Sequence, residues 1–435
     1  MAENNMKTLL NHYLENKLSR LDGESEFEIR FGTKGIKKIT KIDYDNVIKK
    51  LLSSGFTIVV NNEYTLKMAS EFINKNGEKK ISNVRVEVSG LHNIQKYCET
   101  NILDNLPIVL NQKSYVKDKD TPLYPVNVDD FNLRISYQKE KDINTRSPFA
   151  EKIKSSWKDS KKIFRYTNRV SLIHDKYPIR VDLTIVKESE KQGRFLKPEY
   201  TFQTADIINK QEKYEIEMEL INDNIGIGTE YNDVNVLEKL IKKNIKFVLS
   251  GLQETNYPIS YPEIHSIGKE YASLFMKKER VETMRSLYSK NFIGPSSYTL
   301  QLNNILELNE DNQSPNIRNN FTVTDKADGL RKLLFISSKG KVYLIDTNLN
   351  IQFTGAVVSN VDYYNSLLDG EHILHNKLGE YINLYAAFDV YFINKKNIRN
   401  LLFIPESDID SNSNKQKKKI DYRLPLLVNL IKEIN

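Results

Sequence analysis

The chain has 435 residues, of which 39% are hydrophobic and 28% charged, with 17 glycines and 12 prolines. This length can bury at least two cores, and the composition excludes collagen-like, mucin-like and wholly disordered chains. No run approaches the roughly eighteen apolar residues of a membrane span, and the N-terminus lacks a signal-peptide core, so the chain reads as a soluble intracellular protein with no membrane partner. A single cysteine, Cys98, and six histidines without HExxH-like pairing argue against disulfides and zinc. The balance of 64 Lys+Arg against 57 Asp+Glu, a net +7, suits an anionic partner without identifying one.

Leu9, Leu10, Tyr13, Leu14 and Leu18 recur at helical spacing, as do Val47, Ile48, Leu51 and Leu52 before Gly55. Between about 25 and 220 the pattern turns to period two, giving strands at 26–31, 84–89, 133–138, 164–172, 179–186 and 214–220. Helical spacing returns from Val236 to Leu252 and, after a Pro-containing loop at 257–262, continues to about 288. These shifts predict a domain boundary near 225–230, hence domains 1–228 and 229–435. A polar insert at 407–419 reads as a disordered, solvated loop, including Lys415 and Lys417 to Lys419. The chain stops at Asn435 inside a helix beginning near Leu424, which reads as a fragment.

On the first strand Glu26, Glu28 and Arg30 share one face, with Phe27, Ile29 and Phe31 on the other. The last strand repeats the arrangement with Glu215, Glu217 and Glu219 in line. Same-face neighbours lie about 7 Å apart, so each glutamate pair repels by roughly 2 kcal/mol at an effective dielectric near 20. The strands between them bring cations to their own polar faces: Arg85, Arg134, Arg165, Arg169 and Arg180, the last beside Asp182 and Thr184. For one strand alone, a solvated salt-bridged face is the economical reading. Six such strands predict a closed barrel with a charged interior, where carboxylates could hold a hard divalent cation and arginines a phosphate chain.

The strands Glu26–Arg30 (EFEIR) and Tyr214–Leu220 (YEIEMEL) resemble the paired ExE strands of the triphosphate tunnel metalloenzymes, the family of metal-dependent RNA 5′-triphosphatases. That resemblance covers about 1–225. It implies Glu26, Glu28, Glu215 and Glu217 as metal ligands supported by Glu219, with Glu28, Glu215 and Glu217 in catalysis. Arg30, Arg85, Arg134, Arg165, Arg169, Arg180, Asp182 and Thr184 would contact phosphates. Thr167 occupies the middle basic position of an RxKxR-like strand, so one phosphate contact must come from elsewhere.

The segment 322–331 ends in Lys326-Ala327-Asp328-Gly329-Leu330-Arg331 and reads as a strand entering a glycine turn. A free lysine, pKa about 10.4, is almost wholly protonated at neutral pH, so a nucleophilic Lys326 requires nearby positive charge, here Arg331, Lys332 or a metal. KADGLR matches motif I of the covalent nucleotidyltransferases. Leu368-Asp369-Gly370-Glu371 resembles motif III and Tyr385 to Tyr391 motif IIIa. The resemblance implies nucleophilic attack by Lys326 on a nucleotide α-phosphate, Arg331 on the ribose, Glu371 on ribose or metal, and Phe388 or Tyr391 stacked on the base. Asp328, Gly329 and Asp389 complete the implied nucleotide site. No EGhhh-type motif IV or KxK-type motif V follows, so the transfer cycle is expected to be incomplete in this fragment.

A tunnel triphosphatase followed by a KxDG nucleotidyltransferase, with Phe292-Ile293-Gly294-Pro295 ahead of motif I, resembles the capping enzymes of nucleocytoplasmic large DNA viruses of poxvirus, asfarvirus and mimivirus type. The implied fold class is α+β: an antiparallel β-barrel tunnel domain followed by a truncated α+β nucleotidyltransferase domain. The implied chemistry is γ-phosphate removal from 5′-triphosphate RNA and GMP transfer from GTP, with Mg2+ or Mn2+. A methyltransferase domain or subunit is the implied partner, and the host-cytoplasmic viral factory and the virion are the implied locations. A polynucleotide ligase would share KADGLR and use ATP; a non-enzymatic RNA-binding module would keep the basic surface without needing Glu28 or Glu215.

Overall fold

The computed structural model describes residues 2–18, 25–33, 35–307, 315–318, 321–404 and 421–434. The expected disordered insert at 407–419 lies outside them. The chain divides into two compact units, Met1–Glu254 and Thr255–Asn435.

Eight long strands build the first unit: β1 (Ser25–Phe31), β2 (Thr57–Ile73), β3 (Val84–Ser89), β4 (Ile108–Tyr115), β5 (Leu133–Ile143), β6 (Lys162–His174), β7 (Tyr177–Glu188) and β8 (Lys213–Leu220). Their antiparallel pairing runs β1-β8-β7-β6-β2-β3-β4-β5 and returns to β1, which closes the barrel. The packing layer lies outside it. Phe27, Ile29, Leu133, Ile135, Val181, Leu183, Ile216 and Met218 point outward and are buried by helices α1 (Ala2–Leu18), α2 (Lys41–Ser53) and α5 (Val234–Leu252). Across the barrel, Leu66, Val86, Leu110 and Phe164 pack with Tyr97 of α3 (Leu91–Thr100), and with Trp157 just after α4 (Pro148–Ser155). Each such side chain contributes about 1.5–3 kcal/mol on burial, so the stabilising core is a shell and the lumen is left to polar groups.

Local sequence explains the two helices that cover the open flank. Thr40 and Asp43 form a capping box at the start of α2, with the Asp43 N–H donating to Thr40 Oγ1 at 3.2 Å and the Thr40 N–H to Asp43 Oδ2 at 2.9 Å. Asp233 Oδ1 accepts from the N–H groups of Asn235 and Val236 to start α5. The unit boundary falls after Glu254 rather than at 228, because Leu237, Ile241, Val248 and Leu249 of α5 belong to the barrel's outer core. A helix can read as the start of a new domain in sequence when its buried face belongs to strands far behind it.

The second unit is an antiparallel sheet of β9 (Leu330–Ile336), β10 (Lys341–Asp346), β11 (Ile351–Val357), β12 (Ser366–His375) and β13 (Tyr381–Ile393), ordered β11-β10-β9-β12-β13. One face packs Leu333, Phe335 and Ile345 with Ile267 and Tyr271 of α6 (Tyr261–Ser273). After α7 (Lys278–Thr283), the other face packs Leu334, Ile336 and Val390 with Leu427 and Leu430 of α8 (Arg423–Ile434). Residues 322–324 carry no strand; the chain becomes extended and paired only from Leu330. No described helix is long and apolar enough to cross a membrane.

The α2–α5 contact yields a prediction. A Cβ on Gly251 would sit 2.6 Å from Val47 Cα, a backbone atom that cannot step aside cheaply. Gly251→Ala should destabilise the first unit by about 1–3 kcal/mol, read as a lower denaturant midpoint; an unchanged midpoint would show that the two helices do not meet this closely.

Candidate functional site

The lumen of the barrel is a cavity of about 540 Å³ lined by inward-facing residues of its strands. Glu26, Glu28, Arg30, Arg85, Arg134, Arg165, Arg169, Arg180, Asp182, Thr184, Glu217 and Glu219 all line it; Glu215 does not. Six of these strands carry the alternation read in the sequence, and closure converts six half-polar faces into one chamber.

Strand register distributes the carboxylates unequally. In the β1–β8 pair, Glu28 lies opposite Glu219 and Arg30 opposite Glu217. Glu215 accepts from Arg30 at 2.6 Å and from Arg165. Burial pushes the Glu215 carboxyl up, but Arg165 and Arg30 together outweigh it and hold it below the usual carboxylate range. Glu215 is thus held between two guanidinium groups, while Glu219 lies opposite Glu28 across the β1–β8 pair.

Three lumen carboxylates, Glu28, Glu219 and Glu140, are raised to about 7. Burial, with Glu217 close by, raises Glu28 to about 7. Burial also raises Glu219 to about 7 against the pull of the Arg180 guanidinium, which it meets at 2.6 Å. Glu26 is held low although burial opposes it, through its hydrogen bond with Glu140 and the Lys113 ammonium at 2.6 Å, while burial and the Glu26 contact raise Glu140 to about 7. Among the described residues no three His, Cys, Asp or Glu side chains converge as a ready-made cation site. The donor chemistry nonetheless fits a hard divalent cation: two half-buried carboxylates opposite each other on β1 and β8, both reluctant to ionise without added positive charge.

The cations divide as clearly. Arg169 and Arg180 both meet Asp182 at 3.2 Å, and Arg165 also meets Glu188 at 3.4 Å. Among the described residues Arg85 and Arg134 have no carboxylate partner; Arg134 donates only to Asn127 Oδ1 at 3.1 Å. The buried Thr184 hydroxyl also lacks a hydrogen-bond partner among them. Thr167 is buried and donates to the Thr65 carbonyl; the basic residue on the neighbouring β2 is Lys67, opposite Arg165 and 2.9 Å from Glu87. Lys67, Lys113, Glu140 and Glu188 line the same cavity and escaped the sequence reading. The alternation Thr65-Leu66-Lys67-Met68 was the available signal for Lys67.

In the second unit the motif residues gather around β9, β12 and β13. Arg331 donates from Nε and Nη2 to both oxygens of Asp369, at 3.1 and 2.6 Å, and from Nη1 to the Pro295 carbonyl. Asp369, fully buried, also accepts from the Tyr391 hydroxyl. Arg331 and Tyr391 thus both bond Asp369 in this arrangement. Phe388, at 38% exposure, is the accessible ring of the two. Asp389 pairs with Arg423 at 2.9 Å. One buried oxygen of Glu371, Oε2, has no partner. Gly329 is needed where the chain crosses β12, since a Cβ there would sit 2.8 Å from the His372 carbonyl.

Lys326 is exposed and bonds Asp328 Oδ1 at 2.5 Å, which raises its pKa. The expected activation by Arg331 and Lys332 is absent from this arrangement: Arg331 is neutralised by Asp369, and Lys332 is buried against Gln352 at 2.7 Å. Lys326 is thus held in its ammonium form by its contact with Asp328.

Residues 268–412 match the family model for the mRNA capping enzyme catalytic domain. Over 230 residues the chain is 31% identical to the probable mRNA-capping enzyme of Acanthamoeba polyphaga mimivirus, a stretch that is 53% of this chain and only 16% of that protein. Among solved structures, the mimivirus capping enzyme triphosphatase aligns with 56% of this chain and 96% of its own, at 18% identity and a TM-score of 0.35. The S. pombe Pct1 RNA triphosphatase aligns with 56% and 91%, at 14% identity and a TM-score of 0.33.

The carboxylate pair yields the next prediction. Glu28 and Glu219 rise from 4.5 unfolded to about 7 folded, so the folded state holds more protons between those values. Their contribution favours folding below about pH 4.5 and is lost as pH rises through about 7. With a chelator present, Tm should fall between about pH 5 and 8, and Mg2+ or Mn2+ should restore more at pH 8 than at pH 5. A cation-induced increment equal at both would mean these carboxylates do not hold the ion. By sequence, the chain is similar to a mimivirus capping protein over about half of its length, and residues 268–412, within its second unit, match the model of the mRNA capping enzyme catalytic domain.

Proposed function

We propose that the first unit removes the γ-phosphate of 5′-triphosphate RNA and that the second forms a lysyl–GMP adduct from GTP, two successive reactions of mRNA 5′ capping. The observation that carries the first is the closed chamber in which arginines without a carboxylate partner among the described residues face carboxylates raised to about 7 by burial. Arg85 and Arg134, with Lys67, Arg165 and Arg169, would hold the phosphate oxygens, bidentately where guanidinium and phosphate align. Glu28 and Glu219, helped by Glu26, would hold Mg2+ or Mn2+. Such an ion, when bound, neutralises charge on the phosphate being transferred.

Glu217 lies in the cavity beside that pair and would take the proton of the attacking water. The water oxygen bonds to the γ-phosphorus, the bridging P–O bond to the β-phosphate breaks, and inorganic phosphate and a 5′-diphosphate end result. Glu215 would keep Arg30 and Arg165 aimed and neutralised between turnovers. A plain RNA-binding face would have no use for so many buried carboxylates, each of which repels the nucleic acid backbone.

In the second unit, the deprotonated Lys326 Nζ would bond to the α-phosphorus of GTP as the α–β bridging bond breaks and pyrophosphate leaves. An oxygen of the RNA diphosphate end would then displace the lysine. Glu371 would contact ribose or metal, and Phe388 would stack on the guanine. The mimivirus relative supports a viral setting, with capping in the host cytoplasm.

Phosphate release from 5′-triphosphate RNA with Mg2+ or Mn2+ tests the first unit. Glu28→Gln and Glu219→Gln should each slow release on the order of 10²–10³-fold, the several kcal/mol of a lost charge-stabilising site. Release at the wild-type rate from either variant would refute the assignment. For the second unit, incubation with α-labelled GTP should leave label on the protein and none on Lys326→Ala. Labelling from ATP in place of GTP would point to a polynucleotide ligase.

A further inference from the structure

One mouth of the tunnel carries aromatic side chains that phosphate chemistry does not use. Tyr115, the last residue of β4, lines the cavity while remaining 46% exposed. Beside it stands Tyr124, 64% exposed, with ring centroids 5.5 Å apart and planes at 62°. Lone exposed tyrosines are ordinary. This pair differs in being fixed and in its neighbours.

The segment carrying Tyr124 is held from both sides. Val116 is buried, Leu123 packs on the same outer core, and the Leu123 N–H donates to the Val116 carbonyl at 2.8 Å. Pro125 then lines the cavity, and Asn127 accepts from Arg134, one of the two lumen arginines without a carboxylate partner. Aromatic surface, cavity wall and an available cation thus follow one another along a few residues. A polyanion entering past Arg134 would bring whatever is attached to its inner phosphate against these rings, and a nucleobase stacks on an aromatic face whatever its sequence.

We infer that Tyr124 and Tyr115 form a stacking platform for the first unpaired nucleobases of a single-stranded RNA whose 5′ phosphates occupy the barrel. This rests on the triphosphatase reading of the cavity and adds how the enzyme prefers an RNA end to a bare phosphate chain.

The test compares kcat/KM for a short single-stranded 5′-triphosphate RNA with that for inorganic tripolyphosphate, which has no base. Tyr124→Ala should lower the RNA-to-tripolyphosphate ratio about tenfold, through KM, whereas Tyr124→Phe should keep it. An unchanged ratio in Tyr124→Ala would overturn the platform. If the wild type hydrolyses neither substrate, the triphosphatase reading fails, and the platform is judged by binding. Anisotropy with a labelled single-stranded 5′-triphosphate RNA should then show weaker binding by Tyr124→Ala than by Tyr124→Phe, and equal affinities would overturn it.

Discussion

Everything in the first unit follows from the need to keep charge inside a closed barrel without isolating any of it. A lone buried carboxylate or guanidinium costs several kcal/mol, so a charged lumen survives only when most of its groups are paired. Most are: Arg165 with Glu215 and Glu188, Arg169 and Arg180 with Asp182, Lys113 with Glu26. The apolar shell outside then has to supply the stability that the lumen cannot, which is why α1, α2, α3 and α5 wrap the strands. Within that constraint the exceptions locate the chemistry. Among the described residues Arg85 and Arg134 have no carboxylate partner, while Glu28, and Glu219 despite its contact with Arg180, are raised to about 7.

Strand register, more than residue type, decides which partner each glutamate meets. Glu215, Glu217 and Glu219 look equivalent along β8, since period two puts all three on one face. Pairing with β1 separates them: Glu219 meets Glu28, Glu217 meets Arg30, and Glu215 is drawn between two guanidinium groups. A one-residue slip would turn every lumen charge into the outer core, so the apolar face of β1 and β8 enforces the register that the acidic face uses.

The same reasoning shows what the sequence could and could not tell. Six barrel strands were legible because Phe27, Val86, Ile135, Val181 and Met218 alternate cleanly with charges. β2 and β4 were not: β2 begins with Ile58 and Val59 exposed, and β4 mixes Asn111, Gln112 and Ser114 around one inward lysine. Lys67, Lys113 and the whole β2 side of the cavity were lost with them. The domain boundary failed for a related reason, since nothing in α5 itself says that Leu237 and Val248 complete a barrel some fifteen or more residues behind them in the chain. Near Lys326, extended character in Thr322-Val323-Thr324 misled because these residues find no strand to pair with and stay exposed.

The two units use the carboxylate–arginine pair in opposite ways, and the contrast sorts motif residues into those that hold and those that react. In the barrel, the groups left incompletely paired are the candidates for chemistry. In the second unit, Arg331–Asp369, Tyr391–Asp369 and Arg423–Asp389 are complete, and Asp369 is wholly buried. A buried, bidentate, fully partnered ion pair is expensive to open, because the group left behind would be an uncompensated charge. What remains free to change partners is the exposed Lys326 with its single contact to Asp328, the orphaned oxygen of Glu371 and the accessible ring of Phe388. A nucleotide whose phosphates drew Asp328 away from Lys326 would meet only these three, and would leave the pairs that hold β9, β12 and β13 together undisturbed.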